Sequence, residues 1–326
     1  MKGATSAVII SSQTNAYYNL AVEKLLLSQE LGAPYLFLWQ SQNAVVIGAH
    51  QNPYAECNLS KMQSDSVQLA RRISGGGAVY HDLGNLNFCF IAPKELYSEK
   101  KQTQLIVKAL FSLGLNAEIS GRNDLTVNGF KFSGNAYYRG SKACLHHGTL
   151  LISSDLNLLG IYLAPPKEKL EKRGVKSVKS RVTNLSAINQ SITLEAVKNA
   201  IINEFCVQSS TKKIVSINEL FSDEQINEQM QLISSSDYLF ARWQEKPQAK
   251  VKSFKWGICS VEYNANNQTG GNDIKINTDC IYPEVVAVIE SEYAKNSLGK
   301  SNRDYFSSND EYDAYCGILK FIREEL

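Results

Sequence analysis

Asn128-Gly129 lies between two runs of alternating residues, Asp124-Leu125-Thr126-Val127 and Phe130-Lys131-Phe132-Ser133. No other feature constrains the fold as tightly. A two-residue hairpin turn needs positive φ at both positions, and Asn and Gly adopt it at least cost, so the spacing predicts two antiparallel strands joined there. In that register Val127 faces Phe130, Thr126 faces Lys131, Leu125 faces Phe132 and Asp124 faces Ser133. Leu125, Val127, Phe130 and Phe132 then share an apolar face, and Asp124, Thr126, Lys131 and Ser133 share the other. Asp124 falls diagonal to Lys131, roughly 7–8 Å away between α-carbons and within side-chain reach. Alone, such a pair is a surface ion pair worth about 0–1 kcal/mol. Ser133-Gly134-Asn135 directly after the lysine supplies the small and polar groups of a ligand pocket.

Strand and helix patterns alternate along the rest of the chain. Ala7 to Ile10 is a short apolar strand, and Thr14 or Asn15 caps an amphipathic helix running to Leu31. Tyr35–Trp39 and Ala44–Gly48, separated by Ser-Gln-Asn, have the pattern of a hairpin. Leu86–Ala92 is a strand, Gln104–Leu113 a helix, and Ala117–Ser153 a succession of strands around the Asn-Gly turn. Helices are expected near Leu194–Cys206 and Ile217–Ser234. After Gln244-Glu245-Lys246-Pro247 the period changes. Two strand patterns flank an Asn- and Gly-rich loop, and two helices close the chain, which places a boundary near residue 247.

The richest segment is Arg71-Arg72-Ile73-Ser74-Gly75-Gly76-Gly77-Ala78-Val79-Tyr80-His81-Asp82. Three consecutive glycines let a backbone approach a ligand closely and turn several N–H groups towards an anion, and Arg72 adds a charged planar fork. The same residues also suit a flexible Gly-rich hairpin with an arginine nearby. No Gly-Lys-Ser/Thr follows, so this is not a Walker A loop. His146 and His147 are adjacent on a strand and point to opposite faces, so they cannot chelate one metal together. One is expected to be structural and the other to line a pocket. Lys167 to Arg181 is strongly basic, as a solvated segment or one that screens a polyphosphate or an acidic partner would be.

Composition excludes several classes. A net charge of +2 over 326 residues gives no support to a nucleic-acid or membrane-surface role. The seven cysteines are dispersed without Cys-x-x-Cys spacing, as reduced thiols in a cytoplasmic protein are. The run Ala7–Ile10 is too short for a signal peptide, and no stretch approaches the length of a membrane span. Nothing in the sequence argues for an oligomer, so a monomer is expected.

Taken together, Arg71 to Asn85, Gly121-Arg122-Asn123-Asp124-Leu125, Lys131-Phe132-Ser133-Gly134-Asn135-Ala136, His146-His147-Gly148-Thr149-Leu150-Leu151 and Val178 to Leu185 closely resemble the two-domain bacterial lipoate–protein ligases. The likeness runs from about residue 14 to 205 and weakens beyond 247. Arg-x-Ser-Gly-Gly-Gly and Lys-x-Ser-Gly-x-Ala in this order are specific to the superfamily of lipoate ligases, octanoyl transferases and biotin ligases. The resemblance implies an α+β fold: a mixed β-sheet catalytic domain of the biotin/lipoate ligase type over residues 1–246, with a small α/β domain over 247–326. It implies ATP and Mg2+ with lipoate as substrate, a lipoyl-adenylate intermediate, and transfer to a lysine. The lysine would belong to a lipoyl carrier domain of a 2-oxoacid dehydrogenase complex or to the glycine-cleavage carrier protein.

By the same resemblance Arg72 contacts the nucleotide or acyl end, and Ser74, Gly76, Gly77, Ala78, Val79 and Tyr80 belong to the adenylate site. Lys131 bridges the α-phosphate and the acyl carbonyl. Asp124 is a magnesium or acceptor-lysine contact, and His147 and Trp39 help enclose the lipoyl chain. Three rivals stand beside this one. An acyl transferase would work through a cysteine thioester at Cys89, although a thiol in Phe88-Cys89-Phe90 suits an inert core residue better. A biotin ligase would carry a Gly-Arg-Gly-Arg-x-Gly loop, which is missing. A non-catalytic binding protein would have lost Lys131 or the glycine loop, and both are present.

Overall fold

The computed structural model describes residues 5–121, 123–163, 182–209, 213–245, 247–263 and 274–325. Arg122, the basic segment Lys167–Arg181 and most of the Asn- and Gly-rich loop after Tyr263 lie outside the described residues.

The strands are β1 (Ala7–Ile10), β2 (Tyr35–Trp39), β3 (Ala44–Ile47), β4 (Gln68–Arg71), β5 (Val79–His81), β6 (Asn85–Pro93), β7 (Glu118–Ser120), β8 (Asp124–Val127), β9 (Phe130–Arg139), β10 (Ala143–Leu151), β11 (Ala249–Phe254), β12 (Gly257–Tyr263) and β13 (Ile274–Thr278). Seven of them form a mixed sheet in the order β1-β2-β6-β10-β9-β8-β7, parallel only between β1 and β2. A second sheet, β4-β3-β5, lies apart from it, and a third, β11-β12-β13, is built from the C-terminal residues.

Alternation along the strands gives the large sheet two apolar faces. Leu36, Leu38, Phe88 and Phe90 pack with Leu105, Ile106, Val197 and Ile201 of the helices Glu99–Phe111 and Leu194–Ser209. Phe37, Trp39, Cys89 and Leu145 pack on the opposite face. Their partners are Leu20 and Leu26 of the helix Ala16–Ser28, and Ile226 and Ile233 of the helix Asp223–Ser234. Asn15 caps the first of these helices, its side chain accepting from the N–H groups of Tyr17 and Tyr18. The C-terminal sheet and the helices Pro283–Ala294 and Asn309–Glu325 surround a core of their own, with Val285, Ile289 and Ile318 fully buried. Among the described residues no helix is long and apolar enough to cross a membrane.

Two local expectations are corrected. β2 and β3 do not form a hairpin: β2 pairs with β1 and β6, whereas β3 pairs with β4 and β5 in the other sheet. The Ser-Gln-Asn segment carries the chain between sheets, with Asn43 at φ 48°. The Asn128-Gly129 turn closes as expected, with both residues at positive φ, and Val127 pairs with Phe130 and Thr126 with Lys131. Beyond that the register shifts by one, so Leu125 pairs with Ser133 and Asp124 with Gly134. Phe132 is the extra residue of a β-bulge. It is fully buried, while Phe130 at the hairpin tip is 48% exposed and does not join the apolar face. A bulge of this kind bends its strand and re-aims the flanking side chains.

Candidate active site

A cavity of about 410 Å³ opens on the Trp39 face of the large sheet, between it and β4-β3-β5. Its size is that of a small-molecule pocket. Its floor follows one row of cross-strand partners. Trp39 on β2 pairs with Asn87 on β6, and Asn87 with Thr149 on β10. The Thr149 hydroxyl accepts from the N–H of Gly134 on β9, and Gly134 pairs with Asp124 on β8. All five line the cavity. Neighbouring strands lie about 4.8 Å apart, so four spacings give a trough roughly 19 Å long.

One end of the trough is charged. Lys131 Nζ lies 2.6 Å from Asp124 Oδ1, and both side chains are about one-quarter exposed. The bulge and Gly134 make this possible. A Cβ at Gly134 would stand 3.2 Å from Lys131 Nζ and 3.4 Å from its Cε, so the small residue leaves the lysine room to lie across the strand. The Lys131 carbonyl in turn accepts from the N–H of Thr183, 2.8 Å away.

The glycine loop forms a wall. Arg72 folds back under it, donating from Nη2 to the carbonyls of Gly75 and Gly77 at 2.7 and 2.8 Å, and from Nη1 to Val46 at 2.9 Å. Burial lowers its guanidinium to about 10, which keeps it cationic at neutral pH. Its neighbour Arg71 serves the scaffold, with donors to the carbonyls of Gly48, Ala49, Gln51 and Leu239. Gly76, at φ 87°, turns its N–H to the carbonyl of Cys280, 2.9 Å away, so a C-terminal segment takes an amide expected to face an anion. Asp279 and Ile281 of that segment also line the cavity, as does Trp256 from the turn between β11 and β12.

The other end is walled by a buried hydrogen-bonded chain. The Arg72 Nε–H donates to Ser74 Oγ at 3.2 Å, and Ser74 Oγ lies 2.6 Å from His147 Nε2. His147 Nδ1 lies 3.0 Å from Glu23 Oε2, and the Trp39 Nε1–H donates to Glu23 Oε1 at 3.1 Å. A carboxyl accepts from Nδ1–H, which leaves Nε2 to accept the serine proton. Cys89 completes the group, since a ligand atom each from Glu23, Cys89 and His147 lie within 4.8 Å of one another. Burial drives the Cys89 thiol well above its ordinary range, the nearby Glu23 carboxyl adds to this, and the residue is absent from the cavity lining.

The structure brings together most of the residues singled out from the sequence. Arg72, Gly76, Gly77, Ala78, Val79, Tyr80, Asp124, Lys131, His147 and Trp39 all line the cavity. Ser74 is fully buried behind the lining and reaches it through Arg72 and His147. His146 points away from the cavity, packed among Phe88, Phe90 and Tyr137 and hydrogen-bonded to Gln102 and Asn135. Sequence reasoning assigned no role to His81, Asn87, Thr149, Trp256, Asp279 and Ile281. His81 and Thr149 lie inside the glycine-loop and histidine motifs, and Asn87 is a polar residue inside an otherwise apolar strand, so these three carried a signal that could have found them.

A mixed sheet floored by this row and roofed by a glycine loop defines a class: the fold is that of the lipoate ligases. It superposes on the crystal structure of Plasmodium falciparum LipL1 in complex with lipoate, at a TM-score of 0.80 and 29% identity, covering 97% of this chain and 99% of that one. The bipartite lipoate–protein ligase of Thermoplasma acidophilum, solved with its E2 lipoyl domain, superposes at 0.63 and 25% identity over 74% of this chain and 99% of that one. Residues 15–206 match the lipoyl protein ligase A/B catalytic domain. The chain belongs to the lipoate–protein ligase family. Lipoate-protein ligase A of Bdellovibrio bacteriovorus is 36% identical to it over 92% of this chain and 91% of the relative.

Proposed function

We propose that the protein activates lipoate with ATP and transfers the lipoyl group to a lysine of a carrier domain. The observation that carries this is the trough itself. It has an apolar, aromatic end at Trp39, a cation at Lys131 some three strand spacings away, and a glycine loop beside them. A fatty acid with its carboxylate at Lys131 would lie along the floor row, and its apolar part would gain roughly 0.8 kcal/mol per buried CH₂.

In the first half-reaction a carboxylate oxygen of lipoate attacks the α-phosphorus of ATP, the bond to pyrophosphate breaks, and lipoyl-adenylate forms. Lys131 stands where negative charge grows on the phosphoryl and carbonyl oxygens, which is electrostatic stabilisation rather than proton transfer. In the second, the carrier lysine attacks the acyl carbonyl, AMP leaves and the amine loses a proton. A free lysine with a pKa near 10.4 is neutral only about once in a thousand at pH 7, so a carboxylate such as Asp124 serves to receive that proton.

Asp124 also fits a magnesium ion. Mg2+ commonly takes one or two carboxylates, keeps several waters and shares phosphate oxygens, and would neutralise phosphate charge here. Arg72, Ser74 and Gly76 to Tyr80 belong to the adenylate site, and His147 and Trp39 to the acyl end. Residues 1–246 form the catalytic domain and 247–326 a small accessory domain that closes over the glycine loop. The acceptors are lipoyl domains of 2-oxoacid dehydrogenase complexes and the glycine-cleavage carrier protein. The protein works as a cytoplasmic monomer. Burial of Cys89 behind the wall weighs against a thioester route.

The test is ATP–pyrophosphate exchange, with and without lipoate, for the native protein and Lys131→Ala. Lipoate-dependent exchange that collapses by about 100-fold or more in the variant is expected, the scale for losing a main electrostatic stabiliser. Absence of exchange in the native protein, with acyl transfer from a carrier thioester instead, would sink the proposal.

A further inference from the structure

The inner end of the trough is not wholly apolar. His81 on β5 stands edge-on to Trp39, with ring centroids 5.7 Å apart, and Asn87 is the cross-strand partner of Trp39 on the floor. Both side chains are 97% buried and both line the cavity. Their neighbours there are already committed. The indole N–H of Trp39 donates to Glu23, and the two ring nitrogens of His147 meet Glu23 and Ser74. By contrast, neither ring nitrogen of His81 and not the amide nitrogen of Asn87 finds a hydrogen-bond partner among the described residues. The Asn87 carbonyl oxygen is engaged by Asn85 Nδ2 at 3.1 Å, which fixes the amide and leaves its N–H₂ group pointing elsewhere.

Buried donors without partners are costly, and a native pocket keeps them where a ligand supplies the acceptor. Burial depresses His81 to about 3, so its ring is neutral and carries one N–H. Each residue therefore offers a donor at the point where the far tip of the acyl chain would lie. An alkyl tip would leave these donors unpaired. A tip carrying sulfur, a weak but real acceptor, would not.

We infer that His81 and Asn87 recognise the ring sulfurs of the acyl tip, so that this site selects a cyclic disulfide over a hydrocarbon of the same shape. The inference rests on the ligase activity proposed above and deepens it by assigning the residues that set acyl specificity. They are specificity residues and take no part in the bond-making steps.

The test compares three acids by kcat/KM in acid-dependent ATP–pyrophosphate exchange: lipoate, octanoate and 5-cyclopentylpentanoate. The last has the ring and chain of lipoate without its sulfurs. The native protein should favour lipoate over the cyclopentyl acid by about tenfold, the scale of one ordinary net hydrogen bond, as befits sulfur as a weak acceptor. His81→Phe and Asn87→Leu should each reduce that ratio several-fold, chiefly by weakening lipoate, with thermal melting confirming that each variant is folded. A native ratio near one overturns the inference, whatever the variants do. So does an unchanged ratio in folded variants. No exchange with any of the three acids would overturn the ligase activity itself, and this inference with it.

Discussion

At the scale of single residues, Glu23 ties two aromatic rings of the acyl end together although no motif singled it out. It accepts from Trp39 and His147, and through His147 it is joined to Ser74 and Arg72. It sits on a helix at a position that helical spacing assigns to the core, and it is 2% exposed. Glu23→Ala leaves two buried donors unpaired, so stability should fall by about 1–3 kcal/mol for each. Urea denaturation reads this directly, and KM for lipoate should rise as Trp39 and His147 lose their anchor. A loss within about 0.5 kcal/mol, the range of ordinary surface changes, would show that the carboxyl holds neither ring in place.

At the scale of elements, two glycines separate two kinds of constraint. At Gly129, φ is 79° and nothing lies within 4 Å of an added Cβ, so Gly129→Ala meets only the left-handed backbone. The expected cost is about 1–2 kcal/mol, measured by denaturation, with the site intact. At Gly75 an added Cβ would stand 2.1 Å from the carbonyl oxygen of Cys280 and 2.8 Å from the carbonyl carbon of Ile281. Both are backbone atoms, so the C-terminal segment must move away and the Gly76–Cys280 hydrogen bond with it. Gly75→Ala should therefore raise amide exchange at Gly76 and proteolytic cleavage near residues 279–282, which Gly129→Ala should not. Equal behaviour of the two variants would show that the glycine loop and the C-terminal segment are not packed as described.

At the scale of the whole molecule, acid stability should be dominated by buried imidazoles. His50, His81 and His146 each have a folded pKa of about 3, with desolvation the main cause, against 6.5 when exposed. Between those values the unfolded chain binds more protons than the folded one. The stability these groups confer is thus complete above about pH 6.5 and is lost as pH falls. Three groups together set an upper slope of roughly 4 kcal/mol per pH unit. Glu262, Glu284 and Glu290, whose carboxyls burial raises, act in the opposite sense and reduce the net slope. Thermal melting from pH 7.5 to 4.5 should show a falling Tm that begins near pH 6. His146→Gln should reduce the fall, and a flat profile would contradict the burial of these rings.

Local chemistry determined much of this in advance. The Asn-Gly turn, the glycine loop and the opposed faces of His146 and His147 follow from periodicity and φ preference within a few residues, whereas Asp124 and Lys131 meet across a bulge that periodicity does not show. The first three are properties of a chain segment, legible wherever the segment lies. Strand partnership is not such a property. Whether β2 pairs with β3 or with β6, and whether Phe130 or Phe132 turns inward, depends on which apolar surface is available across the sheet, and a single bulge settles it against the simplest register. Likewise the floor row from Trp39 to Asp124 joins five strands scattered over more than a hundred residues. Closure by Trp256, Asp279 and Ile281 comes from two C-terminal stretches with no motif at all. Such contacts are set by long-range packing, in which burial of apolar area decides neighbours irrespective of sequence separation, and only the tertiary structure records the outcome.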